Sequence, residues 1–260
     1  NIPKDNYDVS YTTALASGQW YWRVRAKDSP GLYGNYSEAF AVFNDTFTPP
    51  SPVTQMTASI GPGNGQIALN WMFPGDDKGD VIGGRYRIRY ATAGVILTEA
   101  LWASLSGVEQ SGLLSATSGQ TLTTVAGGLQ TATTYYLAMK TEDEMGNLSA
   151  LSTLSPYAMT NASPTVTLIA PSGGELFIGT TTVRWQASDP NPGDTLSYSL
   201  WLSSNSGAGF GALLKSGLAS SATFYVWDTR GVPNSFNNRL KVVASDLRGL
   251  QASAITPADF

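Results

Sequence analysis

The chain is predicted to be all-β: a tandem of antiparallel β-sandwiches, the first of them incomplete. Three observations predict it. A cassette occurs three times, as WYWRVRAKDSPGLYGNYSEAF at 20–40, TYYLAMKTEDEMGNLSAL at 134–151 and NNRLKVVASDLRGLQASAI at 237–255. Each copy has an alternating apolar run, an acidic residue, a Gly-containing turn, and a second run opening with a small or hydroxyl residue. The acidic anchors Asp28, Asp143 and Asp246 stand 115 and 103 residues apart, too long for a solenoid repeat and about the length of one sandwich. Second, apolar and polar residues alternate with period 2, as in sheets with one wet face. Third, Trp71 and Trp185 lie 114 residues apart, early in each later unit, where an indole fills the core between two sheets.

The strands follow in chain order. Trp20, Trp22, Val24 and Ala26 alternate with Tyr21, Arg23 and Arg25. IALNWMF around Trp71 is the second strand of its unit. Tyr86, Ile88 and Tyr90 then alternate with Arg85, Arg87 and Arg89. Residues 97–106 hint at a helical turn, read as an irregular excursion between strands. GNG at 63–65 reads as a hairpin turn. Tyr135, Leu137, Met139 and Thr141 alternate with Tyr136, Ala138 and Lys140. TVRWQAS carries Trp185, and Tyr198, Leu200 and Leu202 alternate with Ser197, Ser199 and Trp201. Two Pro-bearing joints, TFTPPSPV at 46–53 and TNASPTV at 160–166, are short and stiff, because Pro fixes φ and keeps the preceding residue extended. They divide the chain into units 1–48, 49–160 and 161–260. The first holds only the last three strands of a sandwich, too few to bury their apolar face. The missing strands are expected upstream in the same polypeptide, the alternative being donation by a neighbouring subunit.

With these stretches laid out, the chain resembles tandem fibronectin type III modules of bacterial secreted and cell-surface proteins. In the second unit the likeness rests on IALNWMFPGDDKGD at 67–80, RYRIRYAT at 85–92 and LQTATTYYLAMKTEDEMGNLSALS at 129–152. Leu129 followed six residues later by Tyr135 resembles that family's tyrosine corner. In the first unit Trp20 stands in the Tyr place. In the third, Asn238 holds it and Phe236 is the candidate to fill in, which leaves that unit open between a fibronectin type III module and a related immunoglobulin-like sandwich. The resemblance implies a fold far more than an activity.

Composition bounds the function. The chain of 260 residues has net charge −4 and only 13% charged residues, against nucleic acid, which needs clustered Lys and Arg. Cys and His are both absent, which removes Ser–His and Cys–His pairs and the commonest metal ligand. No apolar run is long enough for a membrane span, and no basic-then-apolar start marks a signal peptide. Zero Cys fits both a cytosol and a prokaryotic exterior. No Gly-rich phosphate loop or carboxylate-flanked cleft is visible, so no catalytic residues are assigned and the chain is read as not an enzyme.

The candidate sites are few. Asp76, Asp77 and Asp80 cluster in PGDDKGD, and Asp189, Asn191 and Asp194 in DPNPGD. Clustered oxygen donors suit Ca²⁺, and Asp246, at the same end of a sandwich, would join the third-unit group, as Glu142 or Asp143 would join the second. The metal candidates are therefore Asp189, Asn191, Asp194 and Asp246, for calcium; the competing reading is that these residues simply make tight turns. Tyr21, Tyr33, Tyr36, Trp102, Tyr136 and Trp201 are read as exposed aromatics, fit for stacking on a sugar or anchoring a protein, or for pairing with Arg23 and Arg25. Sequons begin at Asn35, Asn44, Asn147 and Asn161, and KGD at 78–80 matches an integrin-ligand tripeptide; both read as chance. The functional expectation is a non-catalytic extracellular structural module, a segment of a longer bacterial cell-surface stalk, adhesin or filament. Its partners are neighbouring domains, other subunits or surface polysaccharide. The alternatives are a carbohydrate- or protein-binding module and the accessory spacer of a large secreted hydrolase.

Overall fold

The computed structural model describes residues 13, 18–44, 48–76, 80–105 and 109–260. Strands β1 (Gly18–Trp22) and β2 (Phe40–Asn44) form an antiparallel pair with Trp20 opposite Val42 and Trp22 opposite Phe40. Trp22 and Phe40 stack with centroids 4.9 Å apart, and all four of these residues are exposed.

The second unit comprises β3 (Met56–Ile60), β4 (Ile67–Met72), β5 (Asp80–Ala91), helix α1 (Glu99–Ser104), β6 (Glu109–Thr117), β7 (Thr121–Ala126), β8 (Thr134–Glu142) and β9 (Tyr157–Met159). One sheet has the order β3-β4-β7 and the other β6-β5-β8-β9. The third unit repeats this plan. It comprises β10 (Thr165–Ala170), β11 (Thr180–Ser188), β12 (Ser197–Ser203), β13 (Ala212–Leu218), β14 (Phe224–Asp228), β15 (Arg239–Ser245) and β16 (Gln251–Ile255). Its sheets are β10-β11-β14 and β13-β12-β15-β16. In both units the fourth strand pairs with the third rather than joining the three-stranded sheet. The constant-type immunoglobulin sandwich does the reverse, so the third unit has the same topology as the second.

Each core follows from the alternation. Trp71 on β4 and Trp185 on β11 are buried, and each packs against a Tyr of the next strand. Trp71 lies 6.0 Å from Tyr86, and Trp185 5.4 Å from Tyr198, between ring centroids. Ile67, Leu69, Ile88, Leu137 and Met139 surround the first indole; Val183, Leu200, Leu240 and Val242 surround the second. Tyr135 forms the expected corner, its hydroxyl accepting from Gln130 N at 3.3 Å. Phe236 does not fill the corresponding place: it is 85% exposed, in the loop between β14 and β15, where no strand pairing holds its ring against the core.

Two sequence expectations are corrected by α1. Residues 97–106 contain a true helical turn, capped by Thr98, whose hydroxyl accepts from Leu101 N. The helix carries Trp102 onto the outer face of β8, against Ile96 and Ala138, so this indole is 4% exposed rather than free. Lys140, on the same outer face, is buried, paired to Glu99 at 2.7 Å. The alternation of β8 is lost over 137–141 because both of its faces are covered there.

The chain enters each sandwich at one end and leaves at the other. At the entry to the second unit Ser51 N donates to Gly75 O, beyond the end of β4. At its exit Gly65 N donates to Asn161 O and Asn161 N to Gln66 O, at the start of β4. The third unit is entered beside the loop after β11 and left where Phe260 N donates to Asn238 O and Gly174 N to Asp259 O, before β11 begins.

Candidate functional site

The acidic anchors found in the sequence build one turn three times. Asp28 N, Asp143 N and Asp246 N each donate to the carbonyl four residues on, and Gly31 N, Gly146 N and Gly249 N donate back to the three Asp carbonyls. Gly is required at that third step, where φ is +98°, +90° and +90°. The carboxylate locks the turn by accepting from the backbone N–H of the fourth residue: Leu32, Asn147 and Leu250 at 2.7, 2.8 and 2.8 Å. The acidic residue is in the first place a turn former.

The second and third copies then diverge. In the second unit Asn147 also donates its side-chain amide to Asp143 Oδ2 at 2.8 Å, so both oxygens of Asp143 are engaged within their own turn. In the third unit Leu250 occupies the Asn position. Asp246 Oδ1 accepts from Arg248 N and Leu250 N, while Oδ2 is buried with no partner. Asp246 lies beside the loop that follows β11, and the carboxylates of Asp189, Asp194 and Asp246 come within 4.8 Å of one another.

Arg248 bridges this group, its Nη1 donating to both oxygens of Asp194 at 2.7 and 2.8 Å. Three carboxylates against one guanidinium leave the site electronegative. Asp189 Oδ1 accepts from Asn191 N, and Oδ2 is buried without a partner. Burial first, and then the neighbouring charges of Asp194 and Asp246, raise the Asp189 carboxyl above its usual range. Asn191, a sequence candidate for the same site, is engaged elsewhere. Its side chain accepts from Ala162 N at 2.8 Å and donates to Thr160 O at 2.9 Å. It staples the joint between the units, an arrangement no spacing signal in the sequence announced. Of the second-unit candidates, Asp77 and the side chain of Asp80 lie outside the described residues, as does KGD.

The other candidates separate cleanly. Arg23 lies over the Tyr36 ring at 4.0 Å and Arg25 over Tyr33 at 3.7 Å, with Lys27 also over Tyr33. These two rings have cations on their faces, as the pairing alternative expected. Trp201 is half-buried, with Nε1 donating to Ser199 Oγ at 3.0 Å. Asn161 is fully buried, so its sequon offers no acceptor, and the Asn147 amide is held by Asp143. At the exit end of the third unit, exposed Leu176, Ile178 and Phe236 rim a cavity of about 440 Å³ floored by Trp227 and Phe260.

No protein-family model matches the chain, and no curated protein matches its sequence. Among solved structures it is similar to the chicken CNTN1 FN1–FN3 domains, at 12% identity and a TM-score of 0.41, over 92% of this chain and 75% of that one. It is also similar to the Clostridium thermocellum CbhA fibronectin(III)-like modules, at 15% identity and a TM-score of 0.31, over 82% of this chain and 92% of that one. The strand order carries the assignment: with three- and four-stranded sheets in one order, a Trp on the second strand and a repeated Asp–Gly turn before the last, the chain is a tandem of fibronectin type III-like sandwiches.

Proposed function

We propose that this chain is a non-catalytic extracellular structural segment, part of a longer bacterial cell-surface stalk, adhesin or filament. The observation that supports this reading is the path of the chain, which enters each complete sandwich at one end and leaves at the other. Units joined in that way add head to tail and extend a line rather than close a cleft. Asn161 and Asn191 tie the joint between them, which favours a stiff spacer over independently tumbling beads. Its partners on this reading are neighbouring modules, and the exposed Leu176, Ile178 and Phe236 at the exit end of the third unit offer them an apolar contact.

Small-angle scattering of the 260-residue chain tests the shape. A compact chain of this length has a radius of gyration of about 18 Å. Modules in line give about 25 Å or more, with a scattering curve free of the signature of flexible beads. A value near the compact one overturns the spacer reading.

A further inference from the structure

We propose that Asp189, Asp194 and Asp246 form a Ca²⁺ site at the end of the third sandwich that faces the second, with Arg248 as the counter-ion that the metal displaces. Acidic residues gather in turns for ordinary reasons, and Asp143 shows the ordinary outcome: each of its oxygens is engaged within its own turn. Asp246 makes the same turn without the Asn that completes it. It is 7% exposed, and its Oδ2 is buried with no donor, in the group formed with Asp189 and Asp194. A buried carboxylate oxygen without a donor is costly. Here a second one, Asp189 Oδ2, shares the same small group.

A cation answers both oxygens at once. The donor set is all oxygen, in a chain with neither Cys nor His, which selects a hard cation over zinc or copper. Oxygens bound at 2.3–2.6 Å from one Ca²⁺ are at most about 5 Å apart, which accommodates the 4.8 Å spread. Mg²⁺ holds its ligands within about 4.2 Å of one another and demands a near-ideal octahedron. Asp189 Oδ2, Asp246 Oδ2 and the Asp194 carboxylate supply three or four ligands, and waters complete six to eight. So few protein ligands belong to the weak regime of extracellular modules, with Kd of about 1 mM. The guanidinium of Arg248 pairs with Asp194 and must swing away when the ion enters. The loop that carries Asp189 and Asp194 also carries Asn191, so the ion would order the segment that staples the joint.

The test is the melting of the EDTA-stripped 260-residue chain in 10 mM CaCl₂ and in NaCl of matched ionic strength, with calcium titration calorimetry alongside. Ca²⁺ is expected to raise the third-unit transition by about 5–10 °C, leave the second-unit transition in place, and bind at one site. Asp246→Asn and Asp189→Asn each abolish the shift; Asp189→Asn keeps the acceptor for Asn191 N and serves where Asp246→Asn fails to fold. Arg248→Gln lowers the metal-free melting point and binds Ca²⁺ several-fold more tightly. Identical curves in CaCl₂ and NaCl, no binding heat, or an undiminished shift in Asp189→Asn would overturn the site.

Discussion

Replacing Trp185 with Ala isolates what holds the third sandwich together. The indole is 1% exposed and packs on Tyr198 at 5.4 Å. An aromatic side chain buries about 150–250 Å², which at ~25 cal/mol per Å² contributes about 4–6 kcal/mol. The denatured chain already hides part of that area, which trims it to about 3–5 kcal/mol. The indole N–H is buried with no acceptor, and deleting it recovers about 1 kcal/mol. The expected net loss is therefore about 2–4 kcal/mol, a large fraction of the stability of a unit of this size. Urea unfolding followed by far-UV circular dichroism should show the third-unit transition moving to lower denaturant while the second-unit transition stays. Trp185→Phe keeps most of the area and discards the unpaired N–H, so it should cost under about 1.5 kcal/mol. A loss below about 1 kcal/mol for Trp185→Ala, or equal losses for Ala and Phe, would refute this account of the core.

Two further outcomes are expected. Gly65→Ala forces a Cβ to 2.2 Å from Leu129 O at φ +62°, in backbone that also donates to Asn161 O; it should cost about 2 kcal/mol or more, read as a drop in the second-unit melting point, and an unchanged melt would show that the turn relaxes freely. Asp189 has a folded-state carboxyl pKa raised above its unfolded value, so its contribution is full below the unfolded pKa and is lost as pH rises through the folded one. Glu175, Asp228 and Asp259 have lowered carboxyl pKa values and act in the opposite sense, so the Asp189 contribution is read as a difference: the metal-free stability of the parent chain relative to Asp189→Asn should fall as pH rises above the unfolded Asp value of about 4. A difference that does not change with pH would remove Asp189 as a titrating contributor.

Much of this architecture was legible because it rests on local signals. The Asp–Gly turn needs one acceptor and one positive φ at fixed spacing, so Asp28, Asp143 and Asp246 announced it. The Trp71 and Trp185 positions follow from their matched place early in each later unit. Trp102 was misplaced because its burial depends on a six-residue helix folding back over β8, a long-range packing event with no period to detect. Phe236 was misplaced because it lies in a loop before β15, where no alternation fixes its direction. In the acidic group, the placing of the two loops at one end of a sandwich suggested that Asp189 and Asp194 would meet Asp246. That Asn191 turns to the joint and Arg248 closes on Asp194 depends on which neighbour reaches each side chain first in three dimensions. The difference between Asp143 and Asp246 lay in plain view as Asn147 against Leu250, but it acquires meaning only once the turn geometry is known.

The hydrogen bonds of the joint have a mechanical consequence. If the chain is pulled from its ends, tension passes through residues 160–164 on its way from one sandwich to the next. The bonds from Gly65 to Asn161, from Ser163 to Asn64 and from Ala162 to Asn191 then bear load outside either sheet. A handful of separate bonds gives way before a cooperative strand ladder, and five residues drawn straight reach at most about 18 Å. The joint would thus yield first and by a bounded amount, a small reversible stretch that spares both sandwiches until the slack is gone.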